Sequence, residues 1–205
     1  MLIYFVCLFI TVLAAHLAQR SYENKFLKGF FIFVVFAVMV LLPGMRDASV
    51  GTDTGSYVFF FNVDRRVVFS DILTWDFLLT KEAGYSLITV IAGIFSNQYW
   101  SLLMTIAALV VFCHLFSIYK FSINPVVSLF VFISLGYYTF FFNGARQGIA
   151  GAIYTLSFGA LIDGKFLKYA FWVIVASLFH KTAIVAIPLY FLFRMRFTLN
   201  SLLVL

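Results

Sequence analysis

The sequence predicts an all-α fold: a polytopic transmembrane bundle of about seven membrane helices, with one interfacial or re-entrant segment and one long extracytoplasmic loop. Three observations carry this expectation. The chain is 64% hydrophobic and 11% charged, with a mean hydropathy of +1.06, well outside the range of soluble domains. Seven apolar runs are nearly free of charge, and most approach the ~20 residues that a helix needs to cross ~30 Å of hydrocarbon. The 14 Lys and Arg stand singly or in pairs at the ends of these runs. That is the pattern of topology signals, and it argues against a nucleic-acid partner.

Taken in order, Met1–Leu17 lacks a basic leader and a small-residue cleavage site, so it reads as a retained helix. The loop QRSYENKFLK follows, with Arg20, Lys25 and Lys28 marking a cytoplasmic turn. Gly29–Leu42 then returns outward and ends at Pro43–Gly44. Residues 43–84 form the extracytoplasmic loop, with short amphipathic helices; its basic residues are offset by Asp47, Asp53, Asp64, Asp71, Asp76 and Glu82. Tyr85–Phe95 is too short to span comfortably and is read as interfacial or re-entrant. Trp100–Tyr119 descends to Lys120, and Val126–Phe142 rises to Asn143. Gly148–Ile162 descends to Asp163–Lys168, Phe166–Phe179 rises to His180, and Thr182–Phe193 descends to Arg194 and Arg196.

This threading puts Arg20, Lys25, Lys28, Lys120, Lys165, Lys168, Arg194 and Arg196 in cytoplasmic loops, against Arg146 and Lys181 in the short outer ones. It satisfies the positive-inside rule, and a crossing at Tyr85–Phe95 would reverse it. Cys7 and Cys113 lie inside apolar runs, which argues against a structural disulfide. The whole reads as one integral membrane domain, residues 1–205. It stops at SLLVL in mid-hydrophobic run and is expected to be incomplete at its C-terminus.

Polar groups that do not resemble topology signals converge on the outer face. Arg46–Asp47 is either an interfacial anchor snorkelling to headgroups or an Arg held by its neighbouring carboxylate. Gly51-Thr52-Asp53-Thr54-Gly55 is a tight polar turn opening the helix that carries Tyr57. Its Asp-Thr-Gly matches the aspartic-protease signature, but a single copy beside a membrane helix lacks the second carboxylate. In Asn143-Gly144-Ala145-Arg146-Gln147-Gly148, Asn143 is expected to cap a helix whose first turn holds Arg146. A cation there opposes the helix dipole, which makes sense if an anion is bound. Gly144, Gly148 and Gly151 are expected to form a small face for close helix approach. His180-Lys181-Thr182 is either a polar turn or a proton acceptor near Arg146. Glu82 is either a helix-start residue or part of the same cluster. No metal-ligand cluster is legible, and no metal or cofactor is expected.

The chain resembles the EpsG-like, Wzy-type polysaccharide polymerases of bacterial envelopes. The resemblance rests on Met45-Arg46-Asp47, Val50-Gly51-Thr52-Asp53-Thr54 with Tyr57, Glu82-Ala83-Gly84-Tyr85, Asn143 through Ala150, and Phe179-His180-Lys181-Thr182-Ala183, in that order between apolar runs. It covers roughly residues 40–195. It implies glycan transfer from undecaprenyl pyrophosphate to an incoming lipid-linked repeat unit, at the outer face of the bacterial cytoplasmic membrane. Chain-length regulator and flippase proteins are implied partners beside the bilayer. Arg46 and Arg146 are expected to meet at one pocket and neutralise the departing diphosphate. Asp47, Thr52, Thr54, Glu82 and Gln147 would complete the binding set, with Asp53 or His180 as base. Family members are usually longer, so this chain reads as an N-terminal fragment or truncated member. Two other classes compete: a transporter or flippase for an anionic lipid or saccharide, and a non-catalytic envelope-assembly subunit. The first would need mid-helix charges along a path, which are missing here.

Overall fold

The computed structural model describes residues 2–64, 74 and 82–195, and these are helical with no strand among them. The helices are α1 (Leu2–Arg20), α2 (Lys25–Gly44), α3 (Thr54–Asp64), α4 (Ala83–Phe95), α5 (Tyr99–Phe121), α6 (Pro125–Ser134), α7 (Ala145–Thr155), α8 (Phe158–Ile162), α9 (Phe166–Ser177) and α10 (Ala186–Arg194), with 3-10 turns at Phe140–Phe142 and Lys181–Val185. Of the 43–84 loop and its expected short amphipathic helices, α3 is described; residues 65–73 and 75–81, with Asp71 and Asp76, and Arg196 with the SLLVL terminus lie outside the described residues.

Local chemistry sets several of these boundaries. Asn24 Oδ1 accepts from the amides of Phe26 and Leu27, both at 3.1 Å, and starts α2. Asn124 does the same for Val126 and Val127, with Pro125 pre-set at the first helical position of α6. Pro43, inside the last turn of α2, has no N–H to give the Met39 carbonyl. The Tyr138 hydroxyl donates to that carbonyl instead, at 2.8 Å, and ties α2 to the 125–142 run.

Among the described residues, α1, α2 and α5 are long and apolar enough to cross a membrane. The four later runs are shorter or interrupted. Past α6 the chain turns at Gly136, whose φ of +81° favours glycine, before the 3-10 turn. α7 and α8 are separated at Leu156–Ser157, and a 3-10 turn precedes α10. The expected continuous helices are thus bent passes rather than rods.

Named contacts show that the seven runs still alternate between two ends of the bundle. A Cβ on Gly44, at the end of α2, would overlap Met104 near the start of α5. At the other end, Gly29 and Lys120 line one hollow, and Asn124 shares another with His16 and Arg20. Ser117 bonds Thr155 at 2.8 Å, Gly159 abuts the Phe121 ring, and Gly164 abuts the Arg194 guanidinium. α4 starts beside Leu178 and Phe179 at the end of the 166–179 run and is joined by only three residues to α5, which starts level with the end of α2, so both ends of α4 lie toward the same end of the bundle. Tyr85–Phe95 therefore does not cross.

The core is centred on α5, whose Leu102, Ile106, Val110 and Val111 are buried against Val35 and Met39 of α2 and Ile149 and Ile153 of α7. Ala14, Ala15 and Ala18 allow α1 to lie close on α2. Phe5, Phe9, Phe30, Phe33, Phe112, Phe116 and Phe171 remain exposed around the outside. A soluble surface would not tolerate that patch, whereas lipid would. Both cysteines are free and buried.

Candidate functional site

Arg20, Lys25, Lys28, Lys120, Lys165, Lys168 and Arg194 belong to one end of the bundle. The other end carries Arg46, Asp47, Asp53, Glu82, Arg146 and His180, and a cavity of ≈ 750 Å³ opens there. Its wall includes Asp53, Tyr57, Glu82, Arg146, Gln147 and His180.

Glu82 is the junction of this cavity. One carboxylate oxygen accepts from Arg146 Nη1 at 3.0 Å, and the other lies 2.9 Å from His180 Nδ1. A carboxylate accepts only, so the His180 nitrogen facing it donates, and in the neutral imidazole Nε2 keeps its lone pair. Glu82 reaches this place because the start of α4 is docked on the end of α9. The Gly84 amide donates to the Leu178 carbonyl at 2.9 Å, and the Phe179 ring lies so close that a Cβ on Gly84 would meet it at 2.9 Å. Glu82 is thus no mere helix-start residue: it makes no side-chain cap bond to α4 and serves Arg146 and His180 instead.

Arg146 stands in the first turn of α7, as the sequence suggested, with its guanidinium 4.9 Å above the Tyr85 ring. Its side chain is 44% exposed, so donors not spent on Glu82 face the cavity. The capping differs from expectation. Gly144, not Asn143, occupies the cap position. Asn143 ends the preceding 3-10 turn, and its Oδ1 accepts from the Thr52 amide at 2.7 Å. The α7 cap is supplied across the fold by Tyr57, whose hydroxyl accepts from the Ala145 amide at 3.0 Å and donates to the Asn143 carbonyl. Burial pushes the Tyr57 phenol above its usual pKa, which keeps this donor protonated.

Arg46 does not join Arg146 in the cavity, so the two-guanidinium pocket expected from the sequence has one guanidinium in its wall. Arg46 is 8% exposed and lies behind that wall. It donates to Thr54 Oγ1 from Nε at 3.3 Å and Nη2 at 3.2 Å, and to the Phe142 carbonyl at 3.1 Å. The Phe142 ring lies 4.5 Å from its Cζ. Burial lowers its pKa from the ordinary value. It is held, but not by Asp47, which is exposed and bonds Ser49 through the backbone amide at 2.9 Å and the hydroxyl at 2.7 Å. Those bonds hold the Asp47 carboxyl below the usual range.

Thr54 is fully buried. Its hydroxyl accepts from Arg46 and donates to the Val50 carbonyl at 2.6 Å, so it faces inward rather than toward a ligand. Thr52 contributes its backbone amide to Asn143. Gly51, at φ +95°, must be glycine twice over, since a Cβ would stand 2.8 Å from Thr54 Oγ1 and 2.9 Å from Asn143 Oδ1.

The structure therefore brings Asp53, Glu82, Arg146, Gln147 and His180 together and leaves Arg46, Asp47, Thr52 and Thr54 out of the cavity wall. Sequence reasoning missed Asn143 as a loop clamp and Tyr57 as a wall and cap residue. The signal for Tyr57 was available: it lies one helical turn after Asp53 and so shares its face. Among the described residues no group of three His, Cys, Asp or Glu could hold a metal ion. Chemically, the cavity offers a guanidinium and the first-turn amides of α7 beyond the one that Tyr57 caps to an anion, and an oriented imidazole and a carboxylate to a proton.

No curated protein and no solved structure matches the chain. The family model described as EpsG family matches residues 29–205, which include every element of the cavity. On that match and on its apolar helices, the chain is a membrane protein of polysaccharide biosynthesis and belongs to the EpsG family.

Proposed function

We propose that this protein is a polysaccharide polymerase, moving a glycan from a polyprenyl diphosphate carrier to a hydroxyl of an incoming lipid-linked repeat unit. The observation that carries the reading is the single carboxylate of Glu82 shared by Arg146 and His180 at the rim of one cavity. The acceptor hydroxyl gives its proton to His180 Nε2 as its oxygen bonds to the anomeric carbon. The bond from that carbon to the diphosphate oxygen breaks, and the electron pair leaves with the diphosphate. Arg146 and the first-turn amides of α7 that follow the capped Ala145 amide stabilise the charge that develops there. Arg46, buried one residue behind cavity residues Asp53 and Asn143, adds positive potential through the wall. Glu82 orients the imidazole, and Asp53 in the same cavity wall orients the acceptor hydroxyl, or takes its proton in place of His180. Positive-inside logic assigns the cavity to the extracytoplasmic side of the cytoplasmic membrane.

The test is polymer length in cells whose only polymerase is a variant of this protein. Arg146→Ala and His180→Ala are expected to abolish long polymer while single lipid-linked repeat units accumulate. Normal chain lengths in both variants would refute the reading. Asp53→Asn separates the two base candidates: residual polymer with Asp53→Asn and none with His180→Ala assigns the base to His180.

A further inference from the structure

A second cavity adjoins the polar one. It occupies ≈ 630 Å³ between α5, the 125–142 run and α7, within the ~300–1,000 Å³ typical of ligand sites. It shares Phe140 and Gln147 with the polar cavity. From Gln147 it follows α7 down to Thr155 and Phe158, a run of about 12–16 Å at ~1.5 Å per residue. That is close to half of the ~30 Å hydrocarbon thickness.

The lining is mostly apolar. Its serine and threonine hydroxyls bond one another, Ser117 with Thr155 at 2.8 Å and Ser122 with Ser128 at 2.7 Å, which leaves His114, Tyr137 and the junction residue Gln147 as its other polar side chains. The groove exists because the 125–142 run does not continue as a straight helix: the chain turns away at Gly136, and Tyr137 and Phe140 become wall residues. The glycines of α7 confirm the opening. Gly148 is pressed on Phe141, leaving no room for a Cβ, whereas Gly151 has nothing within 4 Å. Of the expected small face for helix approach, Gly148 alone serves that purpose, and Gly151 looks into the groove.

A hollow of similar size, ≈ 670 Å³, lies between α2 and α5, beside Gly29, Phe33 and Phe116. It shares no residue with the polar cavity. Continuity with the charged site therefore distinguishes one apolar hollow from the other.

We infer that the groove between α5, the 125–142 run and α7 seats the hydrocarbon chain of a lipid whose diphosphate head occupies the adjoining polar cavity, with Gln147 and Phe140 at the junction. This rests on the reading of the polar cavity as a diphosphate site. The arrangement gives the ligand an order: head at Arg146, first chain carbons past Phe140, and the remainder against Val131, Gly151 and Phe158.

Gly151 and Gly29 both have nothing within 4 Å of where a Cβ would stand, so a side chain at either position starts into open space. The experiment measures capture of a photoreactive long-chain polyprenyl diphosphate by the full chain in nanodiscs, for wild type, Gly151→Phe, Gly29→Phe and Arg146→Ala. Gly151→Phe is expected to weaken capture by at least about tenfold, and Gly29→Phe to match wild type. A short, water-soluble prenyl diphosphate should be weakened by Arg146→Ala but hardly by Gly151→Phe. Capture by Gly151→Phe equal to wild type, or equal losses in Gly151→Phe and Gly29→Phe, would overturn the groove assignment and leave it filled by bulk lipid. A loss in Gly151→Phe with none in Arg146→Ala would keep the groove and sink the diphosphate reading, so the two failures are distinguishable.

Discussion

Replacing Glu82 by Gln probes the cavity at the group that joins its two arms. The amide has nearly the same shape but only one acceptor oxygen. Whichever way it is turned, its NH2 faces either Arg146 Nη1 or the donating nitrogen of His180. One charge-assisted hydrogen bond is therefore lost, worth about 1.5–3 kcal/mol where water is excluded. Arg146 is 44% exposed against 24% for His180, so the Arg146 arm is discounted to roughly 0–1 kcal/mol and the His180 arm dominates. A loss of about 2 kcal/mol in the orientation of the base corresponds to roughly 30-fold in rate. The expected result is a 10- to 100-fold slower transfer, with a melting midpoint lowered by about 4–8 °C. Glu82→Asp keeps the charge but is one methylene too short to serve both partners, and should fall between. The assay is transfer of labelled glycan between lipid-linked repeats in proteoliposomes, with melting followed in parallel. A Glu82→Gln protein that polymerises at the wild-type rate would show that the carboxylate does not orient His180.

Three further perturbations address how the cavity is built. Arg46→Lys replaces a fork that meets Thr54 Oγ1 and the Phe142 carbonyl together with a point charge that cannot, and should cost about 1–3 kcal/mol in thermal stability; an unchanged midpoint in detergent would refute the bracing role. Tyr57→Phe strands the Ala145 amide and the Asn143 carbonyl, at about 1–3 kcal/mol, and should raise hydrogen exchange at Ala145 while leaving α1 and α2 protected. Gly84→Ala drives a methyl group into the Phe179 ring and should cost roughly 1–3 kcal/mol. It should also lower transfer more than stability alone explains, because Glu82 moves away from His180; wild-type activity would count against the docking of α4 on α9.

The helical class and the alternation of the apolar runs were legible because they are written in composition and charge position. Runs without Lys or Arg announce helices, and the basic residues at Arg20, Lys120 and Lys165 announce the ends. The bends were not legible. Gly136 and Leu156–Ser157 interrupt apolar stretches whose hydropathy never falls, so a pattern of hydrophobicity alone reads them as continuous. The polar cluster at one end was also legible, since alternation of the runs forces Asp53, Arg146 and His180 to the same side. Division of labour within it was not. Arg46 and Arg146 look equivalent in sequence, and only packing shows that Thr54 and Phe142 enclose the first while Glu82 leaves the second half open. Similarly, Asn143 precedes a helix as a capping residue would, yet its side chain is captured by the Thr52 amide ninety-one positions away.

The bond from Tyr138 to the carbonyl that Pro43 leaves vacant acts as a fulcrum. Arg46 follows Pro43 by three residues and Phe142 follows Tyr138 by four, so one fixed point sets the level at which guanidinium and carbonyl meet beyond it. A shift of the N-terminal hairpin along its axis would tilt the Asn143–Arg146 corner by the same lever. The roof of the cavity is therefore mechanically geared to helices that contribute nothing to its walls.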